Sequence, residues 1–306
     1  MNLAILLASL LSIGPPRDAS TVEVESPSGD LVLPAGVADL GDERGCPFYR
    51  LRYKGRDVLT DSRLGLDLEP DALSANLGVV AVVRSSRDET WKPVCGERDL
   101  VRDRCNEVRI DLKETVGRHR LLRLTFRVYD EGVAFCYTLP EQPHVKAFTI
   151  AWERTRFAFT ADHPAWAVQR AQGDYSRGPT PISRLAPGAE RPLTLELGNG
   201  LFAAVTEARC VDYARMKLRR AEDAPHTLEA FLDAEHGKPG KVTGSTPFST
   251  PWRVVMAAES PGRLLENDDI ILNLNDPCAL SDTSWIKPGK VMREVTLTTV
   301  GARACI

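Results

Sequence analysis

The chain has 306 residues, 43% of them hydrophobic and 26% charged, a composition typical of a globular protein that buries a sizeable core. The formal net charge of −3 argues against a nucleic-acid partner, because proteins that bind phosphate backbones carry a basic surplus. The seven cysteines form no CxxC pair and the five histidines complete no ligand set, so the pattern does not indicate a zinc site.

The first residues form an uncharged, leucine-rich run from Leu3 to Ile13, followed by Gly14 and two prolines. The run is too short to span a bilayer as a helix, which needs about 20 residues. It resembles the apolar core of a secretory signal peptide, although the usual preceding positive charge is missing. We therefore predict a signal peptide over residues 1–20 and export to the periplasm or the extracellular space. A hydrophobic first strand or a buried helix is the alternative. No membrane span is predicted elsewhere.

Alternation of apolar and polar residues dominates the rest of the chain and indicates strands with one buried face. The clearest alternating segments are Tyr49–Tyr53, Val108–Leu112, Leu122–Val128, Val133–Tyr137, Leu193–Leu197, Leu201–Val205, Trp252–Met256 and Ile270–Leu274.

One hairpin and one helix are predicted between these segments. Gly198, Asn199 and Gly200 tolerate positive φ, and they separate two alternating segments, which is a strong hairpin signal. The residues Thr227–Glu235 fit a short helix. Many short strands with almost no helix predict an all-β fold, an antiparallel sandwich rather than a parallel α/β sheet.

The sequence contains no nucleophile elbow, P-loop, H-E-x-x-H motif or dinucleotide fingerprint. Hydrolysis of a glycosidic bond needs two carboxyl groups about 5–9.5 Å apart. Among 42 acidic residues, sequence spacing alone selects no such pair. No catalytic residue is therefore predicted.

Two polar clusters nevertheless suggest binding. The run from Asp88 to Glu97 places charges around Trp91, whose ring could stack on a sugar or could simply anchor a loop. Asn273, Asn275 and Asp276 end an alternating segment with oxygen atoms that suit calcium, and turn formation explains them equally well.

Four ordered strings, ETWKPVCGE, RVYDEGVAF, TPWRVV and LNLNDPC with DTSWIKPGK, resemble the amino-terminal domain of glycoside hydrolase family 97. The earlier strings SPSGDLVL and YKGRDVLTDSRLGL look like the first hairpins of that domain. The resemblance extends from about Val22 to the end of the chain.

The resemblance implies an exported bacterial α-glycosidase acting on α-glucosides or α-galactosides, with calcium as cofactor. It implies a β-supersandwich similar to galactose mutarotase over residues 21–287. Residues 288–306 would then begin a catalytic (β/α)8 barrel, with the first helix at Thr299–Cys305. The barrel itself, which supplies the catalytic carboxylates and most calcium ligands in the family, is expected to be absent.

One calcium ligand is carried over by the resemblance. The family motif H-E-A followed by D-Y matches Thr206-Glu207-Ala208 followed by Asp212-Tyr213, with threonine in place of the usual histidine. Glu207 is therefore expected to bind calcium together with the barrel, whereas residue type alone suggests a solvated glutamate at a strand end. Asp88, Trp91 and Glu97 are the expected sugar contacts.

Three functional hypotheses follow. In the first, the chain is a carbohydrate-binding amino-terminal domain from a truncated or split gene and is inactive alone. In the second, it forms an active glycosidase with a barrel on a separate chain. In the third, it is a free-standing carbohydrate-binding or mutarotase-like protein. The five histidines lie in turn-like contexts, which disfavours mutarotase chemistry because that chemistry needs a general acid and base.

Overall fold

The structure is a computed structural model that describes residues 21–169, 178–232 and 241–290. The first strands are β1 (Thr21–Glu25), β2 (Leu31–Leu40), β3 (Glu43–Tyr53), β4 (Arg56–Arg63), β5 (Leu66–Leu68), β6 (Ala72–Leu73), β7 (Leu77–Trp91), β8 (Val101–Glu114), β9 (Leu121–Val128), β10 (Gly132–Leu139), β11 (Ala147–Glu153) and β12 (Arg156–Ala158). Then follow β13 (Pro164–Trp166), β14 (Thr180–Pro181), a 3-10 turn (Ile182–Arg184), β15 (Leu193–Gly198), β16 (Leu201–Ala208), β17 (Met216–Arg220), β18 (Thr227–Leu232), β19 (Val242–Ser245), β20 (Phe248–Ser249), β21 (Trp252–Ala258), α1 (Pro261–Glu266) and α2 (Asp269–Asn273).

The strands of the described ranges form one large sheet and three small ones. The large sheet has ten strands in the order β14-β13-β15-β16-β21-β10-β9-β8-β7, with β20 added beside β10. The small sheets have the orders β1-β2-β3-β4, β19-β11-β5-β6 and β12-β18-β17. A bridge between Leu59 and Phe159 and a bond from the Ala230 N–H to the Thr155 carbonyl join the small sheets.

The core lies between the large sheet and the small sheets. The ring centroid of Tyr49 on β3 lies 4.9 Å from that of Phe135 on β10, and the ring centroid of Phe126 on β9 lies 5.6 Å from that of Phe135. All three side chains are buried in one continuous apolar cluster. The predicted antiparallel sandwich is therefore confirmed.

Helices α1 and α2 cover part of the other face of the large sheet, where a second apolar cluster includes Trp252, Ile270 and Leu274. The predicted strand at Ile270–Leu274 is wrong, because this segment lies in α2 up to Asn273 and Leu274 caps that helix. The residues buried most deeply there are Ile270 and Leu274, and a spacing of four places them on one side of a helical turn.

The predicted helix at Thr227–Glu235 is also wrong, because Thr227–Leu232 forms strand β18 between β12 and β17. Its backbone hydrogen bonds are satisfied by strands on both sides, and nearly all of its side chains are buried. Tertiary pairing outweighs helix propensity here. Residues 233–235 lie outside the described ranges.

The predicted hairpin between β15 and β16 is confirmed. Gly198, Asn199 and Gly200 all have positive φ, of 82°, 50° and 71°. The predicted signal peptide at 1–20 and the segment Thr299–Cys305 lie outside the described residues. No helix of the described ranges is long and apolar enough to cross a membrane.

Gly132 should tolerate no larger side chain. A Cβ atom there would lie 2.6 Å from the Val255 carbonyl oxygen and 3.0 Å from the Cα of Met256, so two paired strands of the large sheet would have to separate. We expect Gly132→Ala to lower the free energy of unfolding by about 1–3 kcal/mol in urea titrations. Gly289→Ala is the matched control, because a Cβ at Gly289 meets nothing within 4 Å. Equal stability of the two variants would contradict the close packing of β10 on β21.

Candidate functional site

The most unusual polar feature of the sandwich is Arg253, a fully buried arginine on β21. Its Nε and Nη2 atoms donate to the two carboxylate oxygens of Glu153 over 2.7 and 2.5 Å. Its Nη1 atom donates to Glu207 over 2.5 Å. Arg253 and Glu207 lie on adjacent strands of the large sheet, whereas Glu153 lies on β11 of a small sheet. The arginine thus joins the two layers through two carboxylates.

Glu153 is held by further donors. The Thr155 hydroxyl donates to one oxygen over 2.7 Å, and the Tyr213 hydroxyl donates to the other over 2.9 Å. Burial alone would raise the pKa of Glu153, but the charge and hydrogen bonds of Arg253 outweigh it, and with the two hydroxyls they hold this pKa below its usual value. Glu153 is therefore a fixed anion in the interior.

Glu207 is buried rather than solvated, with a side chain that is 3% exposed. Besides Arg253, it pairs with Arg191 and accepts the Met216 backbone N–H over 3.1 Å. The two arginines and the two glutamates, Glu153 and Glu207, form a group with no net charge. The expectation of a solvated strand-end glutamate is therefore wrong, while the calcium role of Glu207 stays a prediction.

The described residues do not form a calcium site on their own. Calcium binds six to eight oxygen atoms, and both oxygens of Glu207 already accept bonds from arginines. No group of three or more His, Cys, Asp and Glu residues in the described ranges is arranged to hold a metal ion. A carboxylate is a suitable donor, but one carboxylate between two guanidinium groups does not attract a dication.

The expected sugar contacts lie at the far edge of the large sheet and the loop after it. Asp88 of β7 makes a bidentate pair with Arg102 over 2.8 and 2.9 Å, and this hydrogen bonding lowers the pKa of Asp88. The Trp91 indole donates to Asn273 over 2.7 Å, and Glu97 is exposed on the following loop. None of the three hydrogen-bonds to Glu207 within the described ranges, and their roles in sugar binding stay predictions.

The polar residues at the end of α2 and directly after it have internal partners. Asn273 donates its amide to the Arg102 carbonyl over 2.8 Å. Asn275 accepts the Arg209 backbone N–H over 3.1 Å, and Asp276 pairs with the Arg209 side chain over 2.8 Å. These bonds support turn formation rather than a cation site.

Two open clefts were missed from the sequence. The larger, of about 520 Å³, lies on the outer face of the large sheet beside the end of α2, and its walls include Arg109, Arg127, Thr138, Trp252 and Asn275. The smaller, of about 360 Å³, contains Trp152, Arg154, Arg156, Arg219 and Glu229. For the larger cleft, the available signal was the charged and polar residues at alternate positions of β8 and β9, which indicate a solvated face when strand neighbours are unknown.

Comparison with known proteins places this arrangement in context. A family model described as Glycosyl-hydrolase 97 N-terminal matches residues 24–277. The chain is 25% identical over 299 residues to a probable retaining alpha-galactosidase of Streptomyces bingchenggensis (strain BCW-1), covering 95% of this chain and 44% of that protein. It is 24% identical over 279 residues to a retaining alpha-galactosidase of Bacteroides thetaiotaomicron, covering 79% of this chain and 40% of that protein.

The fold is similar to a Glycoside Hydrolase Family 97 enzyme from Pseudoalteromonas sp. strain K8, solved as a variant in complex with panose. The TM-score is 0.78 at 31% identity, and the match covers 88% of this chain and 40% of that one. The chain thus spans less than half of the length of the relatives that it matches.

Removal of the Glu153 charge should destabilise the sandwich and flatten its acid dependence. Glu153→Gln leaves Arg253 with a single anionic partner, and we expect a loss of about 3–5 kcal/mol in unfolding free energy at pH 7. Because the folded pKa of Glu153 is lowered, its contribution is complete above the unfolded value of about 4.3 and is lost as the pH falls through the folded pKa. The difference in unfolding free energy between wild type and Glu153→Gln should therefore become smaller below about pH 4.

Urea unfolding at about pH 7, 5 and 3 tests this expectation, because these values span the range in which a glutamate side chain titrates. Glu23→Gln is the control, because Glu23 forms an exposed pair with Arg52. Its substitution should change stability by less than about 1 kcal/mol. If the difference in unfolding free energy between wild type and Glu153→Gln stays constant over this pH range, the assignment of Glu153 as a buried anion is contradicted.

Proposed function

The chain belongs to glycoside hydrolase family 97 and contains that family's amino-terminal domain, and we propose that it serves an exported bacterial α-glycosidase as a carbohydrate-binding companion of the catalytic part. The substrates are α-linked glucosides or galactosides. The observation that carries the proposal is the similarity of nearly the whole sandwich, at a TM-score of 0.78, to a family 97 enzyme in complex with panose. The names of the two galactosidase relatives support the galactoside alternative.

The proposal assigns no hydrolysis to the sandwich itself. In the larger cleft, Glu107 pairs with Arg127 over 2.8 Å and Asp276 pairs with Arg209. Glycoside hydrolysis requires one carboxyl group that donates a proton and a second that attacks the sugar or activates water. Both carboxylates are engaged by guanidinium groups, so their oxygen atoms contact arginine instead of being free to face a sugar.

The smaller cleft offers the same arrangement. Its Asp223 makes a bidentate pair with Arg156, and Glu229 pairs with Arg219 over 2.8 Å. Glu222 is the one lining acid without an arginine partner among the described residues. A single carboxyl group does not supply both roles, so the bond-breaking carboxylates are proposed to belong to a barrel.

The 306-residue chain should accordingly release no nitrophenol from aryl α-glucosides or α-galactosides, with or without calcium. The release is followed by absorbance, with a barrel-containing family 97 enzyme as the positive control. Turnover above the uncatalysed rate that disappears in Glu207→Gln would contradict the proposal, because it would place the chemistry inside the sandwich.

Calcium enters the proposal as the cofactor of the longer enzyme, with Glu207 as one ligand. The group formed by Arg191, Arg253, Glu153 and Glu207 is neutral, so a dication needs additional acids before it can bind there. Those acids are proposed to come from the barrel. Asp88, Trp91 and Glu97 are proposed as sugar contacts of the sandwich in the same assembly.

Calcium titrated into the 306-residue chain should give no measurable heat below about 1 mM, the weak end of protein calcium sites. The midpoint of thermal unfolding should likewise not rise on calcium addition. Magnesium serves as the control for nonspecific screening of carboxylates. Micromolar calcium binding that is abolished in Glu207→Gln, with the fold retained by circular dichroism, would mean that the sandwich holds a complete site.

A further inference from the structure

The floor of the larger cleft is formed by three cross-strand rows on β8, β9 and β10. The two outer rows are closed by ion pairs between register partners, Glu107 with Arg127 and Asp111 with Arg123, over 2.8 and 2.6 Å. Each arginine in these rows has a carboxylate directly opposite on the neighbouring strand. The charges in the outer rows therefore balance.

The middle row is different, because Arg109 faces Thr125 and then Cys136 in register. It contains no acid. The Nε atom of Arg109 is shielded from solvent and has no hydrogen-bond partner among the described residues. Burial raises the pKa of the Cys136 thiol to about 12, so it remains a neutral neighbour. The small side chains of this row leave an open depression over a cationic group.

A count of charges around the cleft gives the same result. Five arginines line it, and each of four has a carboxylate partner within 3.1 Å. The pairs are Arg87–Asp103, Arg123–Asp111, Arg127–Glu107 and Arg209–Asp276. Arg109 is the remaining arginine, and no described carboxylate pairs with it. A guanidinium N–H that is shielded from water and has no acceptor is costly, and an anionic oxygen relieves that cost best.

The walls of the cleft offer groups that suit a polar ligand of modest size. Thr138 and Ser249 present hydroxyls that bond to each other over 2.8 Å, and Asn275 lies on the rim. Trp252 forms a wall, but Arg127 covers its ring at 4.9 Å, so the indole is not free to stack on a sugar. The volume of about 520 Å³ falls within the range of small-ligand sites.

We infer that this cleft is an oxyanion-binding site, in which Arg109 pairs with a carboxylate or sulfate group of the ligand. A planar guanidinium matches either group with two parallel hydrogen bonds. The oxyanion belongs either to an acidic monosaccharide or to a free inorganic anion. The acidic-sugar source rests on the proposed function, whereas the oxyanion site rests on the unpaired arginine alone.

Calorimetric titration of the full 306-residue chain at low ionic strength tests the inference with glucuronate, glucose and inorganic sulfate as probes. We expect glucuronate to bind and glucose to bind at least about tenfold more weakly, because glucose lacks the anionic group. Arg109→Gln should weaken glucuronate binding by about 10- to 100-fold, the ratio expected for one charged hydrogen-bonding group. Added sodium chloride should weaken it as well.

Two further variants separate the site from a general effect of charge or folding. Arg84→Gln removes the same charge from an exposed position of β7 that pairs with the buried Val108 and so lies on the opposite face of the sheet. It should retain wild-type binding. Arg109→Lys keeps the charge but loses the planar fork, and it should bind glucuronate with intermediate affinity.

Affinity for glucuronate well above that for sulfate would identify an acidic sugar as the ligand, and equal affinities would identify a free anion at the same site. Absence of binding by both anions would overturn the inference. So would wild-type affinity in a folded Arg109→Gln protein. Because the readout is binding and not hydrolysis, failure of this site leaves the proposed glycosidase function untouched, and the reverse also holds.

Discussion

The architecture depends on one buried arginine. Arg253 is fully enclosed, and an enclosed guanidinium is tolerated only when anions and acceptors surround it. Its partner Glu207 comes from the adjacent strand, and its partner Glu153 comes from the opposite layer, 100 residues earlier in the chain. A slip of β21 by one residue would turn the arginine to the other face and leave Glu153 without a cationic partner among the described residues. The pairing therefore specifies how the large sheet lies on the small ones, in addition to the shape of the apolar core.

The same pairing limits what Glu207 can do. Arginines and a metal ion compete for the same carboxylate oxygens, so the proposed calcium role of Glu207 would be favoured by displacement of one guanidinium. Arg253 is 0% exposed and bonded twice to Glu153, whereas the Arg191 side chain is 18% exposed and lies toward the surface. Arg191 is thus the more accessible of the two partners, and it also pairs with Glu190 over 3.6 Å. In the proposed assembly, Glu207 would therefore be a ligand held in place by Arg253, with its charge offset until further acids approach from the rest of the enzyme.

Sequence patterns predict those parts of the fold in which one face of a strand meets the core. The alternation at Leu122–Val128 is reproduced by β9, whose burial alternates at every residue. Sequence patterns fail where the neighbouring strands, and not the segment itself, determine which side chains are buried. Strand β18 is enclosed on both sides and lost its alternation, and the 15-residue β7 is exposed over most of its length. The site was predictable only in part. Glu207 could be selected because it matches a family motif, whereas its two arginine partners are distant in sequence and are brought to it by strand pairing.

The outer face of the large sheet divides at the end of α2, and that division explains where an open site can exist. On one side, α1 and α2 seal an apolar cluster that includes Trp252 and Ile270. On the other side, the face carries charged and hydroxyl side chains in register across β8, β9 and β10, and no described element covers it. The shielded Nε atom of Arg109 lies beneath this open face without a hydrogen-bond partner among the described residues. Since the neighbouring rows pair their charges and the row of Arg109 does not, this imbalance is better explained by a ligand than by solvation.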